Sequence, residues 1–544
     1  MTETVEELAA PEPLGGEPAD EGPPARPHDH LDDIIEFAPE LVLAVVLATW
    51  SVVFFYLGRL RYQKYGAFGF DLGIYDQGTW LLSRFRDPFV TIRGLEIFGH
   101  HANFILLAFV PFYWLGAGPV FLLGVQVVAQ ACGGIALFLL GRDILKSRWA
   151  GVGMASAWCL NPTNQWLVWE FFHPDAVAMG PLLLAYWAAR TKRWGFFTGA
   201  AIVALACKED AALTLVVLGL LIIVHGDRIR GAAVAAIAAA WFLIATRVVI
   251  PFSNGIGPFY DTFFGNLGKT PPEVIFNSVR HPTESLKRIR AHDAKGWYWK
   301  MWAPWALTPL LDLRTLAIAF PMIFIDVMSE FPYTRVYMYH YSAMVLVGSA
   351  VASLEAIGWI SRRSANERST RTALVLVVLA CALFTTTLWG ASPISHGFQK
   401  GMWPLRPDPL VAEKAALIRE LPSSAAVSTA YNLDTHIDHR SRVYEFPVPW
   451  CNINWGVKGE HLDNPDTVDW ILMDRGLVQN PRDRALFDDL LEHEFKIVDE
   501  RSGVLLAKRI APPAIPSTVN PPNGECYARQ SLASYQPDVP IPAK

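Results

Sequence analysis

Long apolar runs recur along most of the chain, and short polar connections separate them. The first run extends from Leu41 to Leu57. Further runs fall at roughly 119–140, 150–168, 175–189, 195–207, 211–225, 231–250, 299–311, 314–328, 339–358 and 372–390. An apolar α-helix of about 20 residues crosses the hydrocarbon core of a bilayer. The pattern therefore predicts an all-α polytopic membrane domain over residues 38–391, with about 11 transmembrane helices, several of them short and tilted.

The two ends of the chain have a different composition. Residues 1–37 are rich in Pro, Gly, Ala and acidic residues, which is typical of a disordered tail. This tail lacks the basic start and the cleavage site of a signal peptide, so the first apolar run is expected to be an uncleaved span. Short patterns predict a small α/β domain over residues 392–510, with helices at 409–421 and 482–493 and strands at 425–429, 443–446, 468–474, 495–499 and 504–508. A Pro-rich tail follows at 511–544.

Composition narrows the class of protein and of partner. Of the 544 residues, 52% are hydrophobic and 18% are charged, which excludes an ordinary soluble protein of this size. The net charge of -5 gives no basic face, so a nucleic-acid partner is excluded. The sequence has no phosphate-cradling Gly loop, Walker motif or dinucleotide fingerprint, so no nucleotide partner is expected. The lipid bilayer is the partner that the composition predicts.

Basic residues occupy alternate short connections between the apolar runs. They are Arg142, Lys146 and Arg148; Arg190, Lys192 and Arg193; Arg228 and Arg230; and Arg362, Arg363, Arg368 and Arg371. Because cytoplasmic loops are enriched in Lys and Arg, we expect a cytoplasmic N-terminus and an external C-terminal domain, with external loops at 58–118 and 251–300. Arg59, Arg61 and Lys64 disagree with this orientation, since they follow the first span on the side assigned as external.

In this orientation the chemically unusual residues face the external side. The stretch from Phe70 to Gln77 places Asp71 and Asp76 in an aromatic segment just after the first span. Carboxylates at a membrane boundary are costly unless they are paired, solvated or used in function. The other candidates on this side are His100, His101, Glu170, His173, Asp175, Lys208, Glu209, Arg335, His340 and Tyr341. Their shared side predicts one site with Asp71 at its centre.

Several candidates also have a purely structural interpretation. Asp76 and Asp175 suit helix caps or solvated positions. The stretch Lys208-Glu209-Asp210 suits an internal ion pair at a helical hairpin. His100 and His101 suit ordinary interfacial positions. The sequence alone leaves these alternatives open.

The C-terminal domain contains two further groups of interest. Four residues close together in the chain have metal-ligand chemistry: Asp434, His436, Asp438 and His439. On a short helix two of these side chains must point away from the others. We therefore favour solvated or capping roles over a metal site. Cys451 and Cys526 are the two cysteines after the last span, and an external compartment allows a disulfide between them.

Four stretches of the chain resemble the successive signatures of a known family. They are Phe70-Asp71-Leu72-Gly73-Ile74-Tyr75-Asp76-Gln77, Phe172-His173-Pro174-Asp175-Ala176, Lys208-Glu209-Asp210 and His340-Tyr341-Ser342-Ala343. Through them the chain, from about Ala67 to Lys508, is similar to the bacterial polytopic membrane proteins catalogued as domain-of-unknown-function family 2079. One position departs from the family's Gly-Asp-His-Phe pattern: this chain has Gly99-His100-His101-Ala102, so no carboxylate role carries over to position 100.

That family resembles in topology the GT-C glycosyltransferases, such as protein mannosyltransferases and the aminoarabinose transferase of lipid A. The resemblance implies a GT-C-like fold in the bacterial inner membrane. It also implies inverting transfer of a sugar from a polyprenyl-phosphate donor to an envelope glycan, lipid or protein, with Asp71 as the base. Lys208, Arg335 and His340 would hold the donor phosphate. His101, Glu170 and His173 would shape the acceptor pocket or, with Asp71, hold a divalent metal.

Two other classes of function stay open. A transporter or flippase of a lipid-linked sugar would place polar groups near the bilayer midplane, often on an internal repeat. Here the polar groups gather at one face, and we detect no repeat between the two halves. A non-catalytic envelope scaffold would use the external α/β domain as its working part and would tolerate changes at Asp71.

Overall fold

The computed structural model describes residues 30–255, 259–453, 460–511, 521 and 524–526. Most of the predicted N-terminal and Pro-rich tails lie outside the described residues. The predicted tail at 1–37 is too long at its C-terminal end, because the first helix already begins at His30. Acidic residues favour the first turn of a helix because they complement its dipole. The acidic composition of residues 30–37 is therefore compatible with helix.

The described chain is mostly helical. The helices are α1 (His30–Gln63), α2 (Ile74–Ser83), α3 (Ile97–His100), α4 (Ile105–Trp114), α5 (Pro119–Ile144), α6 (Arg148–Leu160), α7 (Pro162–Trp169), α8 (Pro174–Arg190), α9 (Trp194–Cys207), α10 (Ala211–Val224), α11 (Arg228–Ile244), α12 (Ile250–Asn254), α13 (Pro271–Arg280), α14 (Pro282–Ile289), α15 (His292–Trp302), α16 (Leu313–Leu316), α17 (Phe320–Met328), α18 (Ala343–Ser361), α19 (Glu367–Trp389), α20 (His396–Gln399), α21 (Leu410–Glu420) and α22 (Pro481–His493).

Five helical segments in the described part are long and apolar enough to cross a membrane. They are Glu36–Gln63, Pro119–Ile144, Arg228–Asn254, His340–Ser361 and Glu367–Trp389. Shorter apolar helices at Ile105–Trp114, Trp194–Cys207 and Ala211–Val224 accompany them. The chain is thus a multi-helix membrane protein.

Three of the predicted spans do not form single helices. The run at 150–168 is divided into α6 and α7, because Asn161 is extended and Pro162 follows it. The runs at 299–311 and 314–328 fold as the end of α15, two short helical turns, α16, a third turn and α17. Pro304 and Pro309 interrupt the run at 299–311, and Ala306 and Leu307 between them have positive φ angles of 54° and 59°. Proline lacks an amide donor, and non-Gly residues adopt positive φ reluctantly, so an apolar composition did not produce continuous helix there.

The helices pack closely where small residues face one another. α5 lies against α1, α6 and α8. A Cβ atom on Gly141 of α5 would come within 2.6 Å of the Gly151 Cα atom in α6, so both glycines are needed for this contact. Small residues at helix contacts are typical of membrane proteins. Lipid gives helices no hydrophobic driving force to associate, so close van der Waals packing of their backbones holds them together.

The basic connections gather at one end of the helical bundle. Arg148 pairs with Glu40 near the start of α1, and Arg371 donates to the Leu145 carbonyl oxygen. At the other end of α1, Tyr62 donates to the carbonyl oxygen of Thr435 in the C-terminal domain. The basic turns and the C-terminal domain therefore lie at opposite ends, while the membrane face to which each end belongs stays a prediction.

The residues from 392 onwards contain the predicted α/β fold. Five strands form one sheet in the order β4 (Val443–Glu445), β3 (Val427–Thr429), β5 (Trp470–Asp474), β7 (Val504–Arg509) and β6 (Phe495–Arg501). β3 is parallel to β4 and β5, whereas β7 is antiparallel to β5 and β6. A separate two-stranded ribbon, β1 (Phe89–Val90) and β2 (Leu95–Glu96), lies in the first loop.

The sequence predicted this small domain closely. The helices expected at 409–421 and 482–493 are α21 and α22, and each expected strand is present within a few residues. Cys451 and Cys526 form the predicted disulfide. It ties the end of the described chain to the segment that follows β4.

Candidate active site

The signature from Phe70 to Gln77 begins with a wide helical turn and continues as a regular helix. Gly69–Gly73 form a π-helical turn, and α2 follows at once. The Gly69 amide donates to the Tyr431 carbonyl oxygen at 3.0 Å, which fixes the turn against the C-terminal domain. Within this turn the Asp71 side chain keeps 34% of its surface exposed.

The second signature forms a tight connection between α7 and α8. Phe171 has a positive φ of 75°, a left-handed conformation that is strained for an aromatic residue. Its ring and that of Trp169 hold the buried Arg61 guanidinium at 4.3 and 3.6 Å from their centroids. Arg61 is therefore a packed structural cation, which explains why it disagreed with the charge pattern of the loops.

Four side chains meet beside this connection, and we call them the carboxylate–histidine cluster: Asp71, Glu170, His173 and His340. His173 Nε2 lies 3.3 Å from Asp71 Oδ1, and its Nδ1 lies 4.0 Å from Glu170 Oε2. His340 Nδ1 lies 2.8 Å from Glu170 Oε1. The two imidazole rings stack with centroids 4.0 Å apart. Three of the predicted signatures thus supply one compact group.

Burial changes the proton affinity of this cluster. Burial lowers the pKa of His173, but the carboxylates of Glu170 and Asp71 outweigh it and raise this pKa to about 9. Burial raises the pKa of Glu170 well above its ordinary value, although His173 opposes the shift. Glu170 and His173 therefore retain protons to higher pH than they would in water.

The Lys208 ammonium is already paired on two sides. It lies 3.1 Å from Asp175 Oδ1 and 3.4 Å from Asp210 Oδ2, and its side chain is 5% exposed. Burial lowers the pKa of Lys208, but these two carboxylates outweigh it and raise this pKa well above its ordinary value. The predicted role of Lys208 as an open phosphate ligand does not fit this geometry, and the internal ion pair does.

Glu209, next to Lys208 in the turn after α9, binds the part of the first loop that contains His101 and Ala102. Its Oε1 lies 2.7 Å from His101 Nδ1, and its Oε2 accepts from the Ala102 amide at 3.1 Å. Burial opposes ionisation of Glu209, but His101 lowers its pKa to about 2. The His100 ring packs against that of His101 at a tilt of 50°, with centroids 4.5 Å apart. These residues lock the loop onto the turn after α9.

Asp76 lies in a different group, at the contact with the C-terminal domain. Its carboxylate accepts from the Tyr113 hydroxyl and lies 2.9 Å from His439 Nε2. Asp438 joins this group. Solvated roles for Asp434 and Asp438 were the wrong prediction, because both are buried, at 0% and 2% exposure. Docking of the domain onto the first loop covers them, which a short local motif cannot reveal.

The remaining candidates border the first cluster or lie apart from it. Tyr341 packs on the His340 ring at 4.1 Å between centroids. Arg335 pairs with Asp293 at 2.6 Å, so its guanidinium is engaged in this conformation. His436 stacks on Tyr62 at 4.2 Å and is a packing residue at the domain contact.

The family model described as "Predicted membrane protein (DUF2079)" matches residues 61–506. The chain belongs to this family. No curated protein matches it.

Among solved structures, the chain is similar to ArnT from Cupriavidus metallidurans bound to undecaprenyl phosphate, with 12% identity and a TM-score of 0.48 over 87% of this chain and 98% of that one. For the apo state of ArnT the identity is 13% and the TM-score 0.48, over 89% of this chain and 99% of that one.

The sequence pattern did not single out two polar residues, of which Gln126 contacts the carboxylate–histidine cluster directly. Gln126 of α5 accepts from the His173 amide at 2.7 Å and donates to the Leu167 carbonyl oxygen at 2.6 Å. Asp326 of α17 is fully buried, and both oxygens of its side-chain carboxylate lack a hydrogen-bond partner among the described residues. Both are polar residues within apolar runs, and this pattern is itself a signal of function in membrane helices.

The carboxylate–histidine cluster has the parts needed for proton transfer. Asp71 combines partial exposure with contact to a buried imidazole, so a bound hydroxyl can reach it while His173 orients it. One ligand atom each from Glu170, His173 and His340 lies within 4.8 Å of the other two, so these residues could also hold a metal ion.

Proposed function

We propose that this protein is a membrane glycosyltransferase of GT-C type. It transfers a sugar from a polyprenyl-phosphate donor to a glycan, lipid or protein acceptor of the cell envelope. The observation that carries the proposal is the geometry of Asp71, a part-exposed carboxylate 3.3 Å from the buried His173 imidazole. The substrate class comes from the resemblance of the four signatures to a family whose topology is similar to that of GT-C enzymes.

The proposed chemistry is a single displacement at the anomeric carbon of the sugar. The acceptor oxygen forms a bond to this carbon while its proton passes to the Asp71 carboxylate. The bond between the anomeric carbon and the phosphate oxygen breaks, and the polyprenyl phosphate leaves with the electron pair. One carboxylate near the acceptor is sufficient, because phosphate is a good leaving group and needs no protonation by a second acid. The anomeric configuration is inverted.

The leaving phosphate requires positive charge nearby. In this proposal the imidazolium of His173 supplies it, since the carboxylates around His173 keep its pKa at about 9. The Lys208 ammonium adds positive charge only at longer range, because Asp175 and Asp210 neutralise most of it. A divalent ion held by Glu170, His173 and His340 would be an alternative source of positive charge, since it would bind His173 as a neutral imidazole in place of the proton.

The decisive test is the substitution Asp71→Asn. The protein would be purified, reconstituted into liposomes and supplied with a panel of radiolabelled polyprenyl-phosphate hexoses and envelope extract as acceptor. We expect transfer to fall by about 100- to 10,000-fold, the usual contribution of a general base. The matched control is Asp87→Asn, an exposed carboxylate in the same loop, which should retain transfer.

Two outcomes would contradict the proposal. Full transfer by the Asp71→Asn protein would remove Asp71 from the role of base. Movement of the intact labelled lipid between leaflets, without release of polyprenyl phosphate, would favour a flippase. The binding of undecaprenyl phosphate to the wild type and to Asp71→Asn is measured by thermal shift. Equal binding by both would show that the variant has lost the chemical step and has kept the donor site.

A further inference from the structure

A second polar cluster lies where α2 meets the C-terminal domain, outside the carboxylate–histidine cluster. We propose that Asp76, Asp438 and His439, which we call the interdomain triad, bind a divalent transition-metal ion that joins the C-terminal domain to the membrane helices. Asp76 comes from the first loop and the other two from the segment before β4. The site is independent of the proposed transfer reaction.

The geometry of the triad suits a single ion. One ligand atom from each residue lies within 4.8 Å of the other two. His439 Nε2 and Asp76 Oδ2 are already 2.9 Å apart. Zinc binds nitrogen and oxygen ligands at about 2.0–2.2 Å, so ligand atoms around one tetrahedral ion are roughly 3–3.6 Å apart. Small side-chain movements therefore place all three atoms on one ion.

Burial makes a cation at this position favourable. Asp76 is fully buried, and Asp438 is 2% exposed. Among the described residues, Asp438 Oδ2 is buried without a hydrogen-bond partner. Two buried carboxylates at such short range repel each other unless a proton or a cation lies between them. A divalent ion would satisfy both carboxylates and the imidazole together.

Neighbouring side chains hold the triad in an orientation that leaves these atoms available. The Tyr113 hydroxyl donates to Asp76 Oδ1, which leaves Oδ2 for the ion. The Trp80 ring stacks on the His439 imidazole with centroids 5.8 Å apart. Outer contacts of this kind fix the orientation of metal ligands. The His439 side chain is 38% exposed, so an ion can enter from solvent.

The donor set also indicates which ion would bind. Two carboxylates and one imidazole suit Zn²⁺ or Mn²⁺ better than Mg²⁺, which prefers oxygen ligands and retains several waters. Three protein ligands leave at least one coordination position, which water can occupy. Because the ligands come from two parts of the fold, ion binding would stabilise the contact between the domain and α2.

The experiment uses the full-length protein in detergent, stripped with EDTA and dialysed against Zn²⁺ or Mn²⁺ alone. Bound metal is measured by inductively coupled plasma mass spectrometry, and the unfolding temperature is measured with and without the ion. We expect the wild type to bind an ion at the triad and to gain roughly 5 °C at saturation. Asp438→Asn and His439→Gln should each lose this ion and the gain in unfolding temperature.

The matched control is Asp434→Asn, which removes a buried carboxylate of the same segment that is outside the triad. It should bind metal as the wild type does. Absence of bound ion and of any thermal shift in the wild type would overturn the proposal, and this result does not depend on how well any variant folds. Unchanged metal content in the triad variants would assign the ion to Glu170, His173 and His340 and overturn it as well.

Discussion

At the scale of single residues, His173 is the most informative side chain of the carboxylate–histidine cluster. Its amide is fixed by Gln126, and its ring contacts Asp71 on one side and His340 on the other. The carboxylates around it raise its pKa to about 9, against an ordinary value of about 6.5. Folding therefore keeps a proton on this imidazole that the unfolded chain would release.

This proton predicts a dependence of stability on pH. The folded-state pKa of His173 is raised, so its contribution is fully present below about pH 6.5 and is lost as the pH rises through about 9. We expect the unfolding temperature of the wild type to fall more steeply over this window than that of His173→Gln. Differential scanning fluorimetry in detergent measures both.

The control for this comparison is His225→Gln, an exposed histidine at the far end of α10. It should follow the wild type across the whole pH range. Parallel curves for the wild type and His173→Gln would show that the imidazole is not selectively protonated in the folded protein.

Lys208 makes a second prediction at this scale. Lys208→Met leaves the buried Asp175 and the part-buried Asp210 without their cation, and loss of one partner from a buried ion pair costs about 3–5 kcal/mol. We expect much less folded protein, measured by size-exclusion chromatography of the detergent extract. The triple variant Lys208→Met, Asp175→Asn, Asp210→Asn should recover part of this loss, because no uncompensated charge remains.

Lys192→Met serves as the control, since Lys192 is exposed in the turn before α9. A well-folded Lys208→Met protein that binds donor lipid weakly would instead restore Lys208 as a phosphate ligand. The sequence allowed both roles, because a motif of adjacent charges does not show which of them are already paired.

At the scale of elements, the turn Gly69–Gly73 is one of the points where the membrane helices and the C-terminal domain touch. A Cβ atom on Gly69 would lie 1.5 Å from Asp434 Oδ2 and 2.1 Å from its Cγ. Both distances are far shorter than any allowed contact, so the turn or the domain would have to move. Gly69, directly before the signature, leaves the room that a carboxylate of the C-terminal domain occupies.

We therefore predict that Gly69→Ala loosens the C-terminal domain. Limited proteolysis should cut the variant faster than the wild type between α20 and α21, with fragments identified by mass spectrometry. The double variant Gly69→Ala, Asp434→Ala should resist cleavage better than Gly69→Ala alone, because the second change removes the clashing atoms. Gly195→Ala, where nothing lies within 4 Å of the added atom, is the control. Equal cleavage of Gly69→Ala and wild type would contradict the contact.

The elements show what a sequence pattern can and cannot predict. The small α/β domain was predicted well, because its central strands are short apolar runs that are buried almost throughout and its helices are separate local patterns. The runs at 299–311 and 314–328 were predicted poorly, since hydropathy does not register the left-handed residues between Pro304 and Pro309. For the interdomain triad, the sequence showed the metal-ligand chemistry of Asp438 and His439, but it gave no signal that Asp76 joins them. Asp76 and His439 are far apart in the chain, and only docking of the domain brings them together.

At the scale of the whole molecule, the basic connections and the C-terminal domain with its neighbouring polar clusters lie at opposite ends of the helical bundle. The basic connections lie at the end of α1 that contains Glu40, and the C-terminal domain lies at the end that contains Tyr62. The sequence predicted this separation, because the positive charges alternate between connections and the alternation survives small errors in span boundaries. The predicted count of about 11 spans stays a prediction, since length alone does not distinguish a short span from a buried helix.

The disulfide gives an independent argument for the orientation. Cys451 and Cys526 are joined, and cytosolic proteins of mesophiles rarely keep a structural disulfide. The C-terminal domain should therefore face the outside of the cell membrane and the basic connections the cytoplasm, as the charge pattern also predicts. Two cysteine variants test this orientation: Asp488→Cys on the exposed side of α22 and Arg363→Cys in the connection between α18 and α19.

A membrane-impermeant maleimide applied to intact spheroplasts should label Asp488→Cys and leave Arg363→Cys unlabelled until the membrane is lysed. The reverse pattern would place the domain, and with it both polar clusters, in the cytoplasm. A polyprenyl-phosphate sugar presented at the outer leaflet would then be on the wrong side for Asp71, so the reverse pattern would count against the proposed donor as well as the orientation. Labelling of the wild type after mild reduction, but not before, identifies the reactive thiols as those of the disulfide.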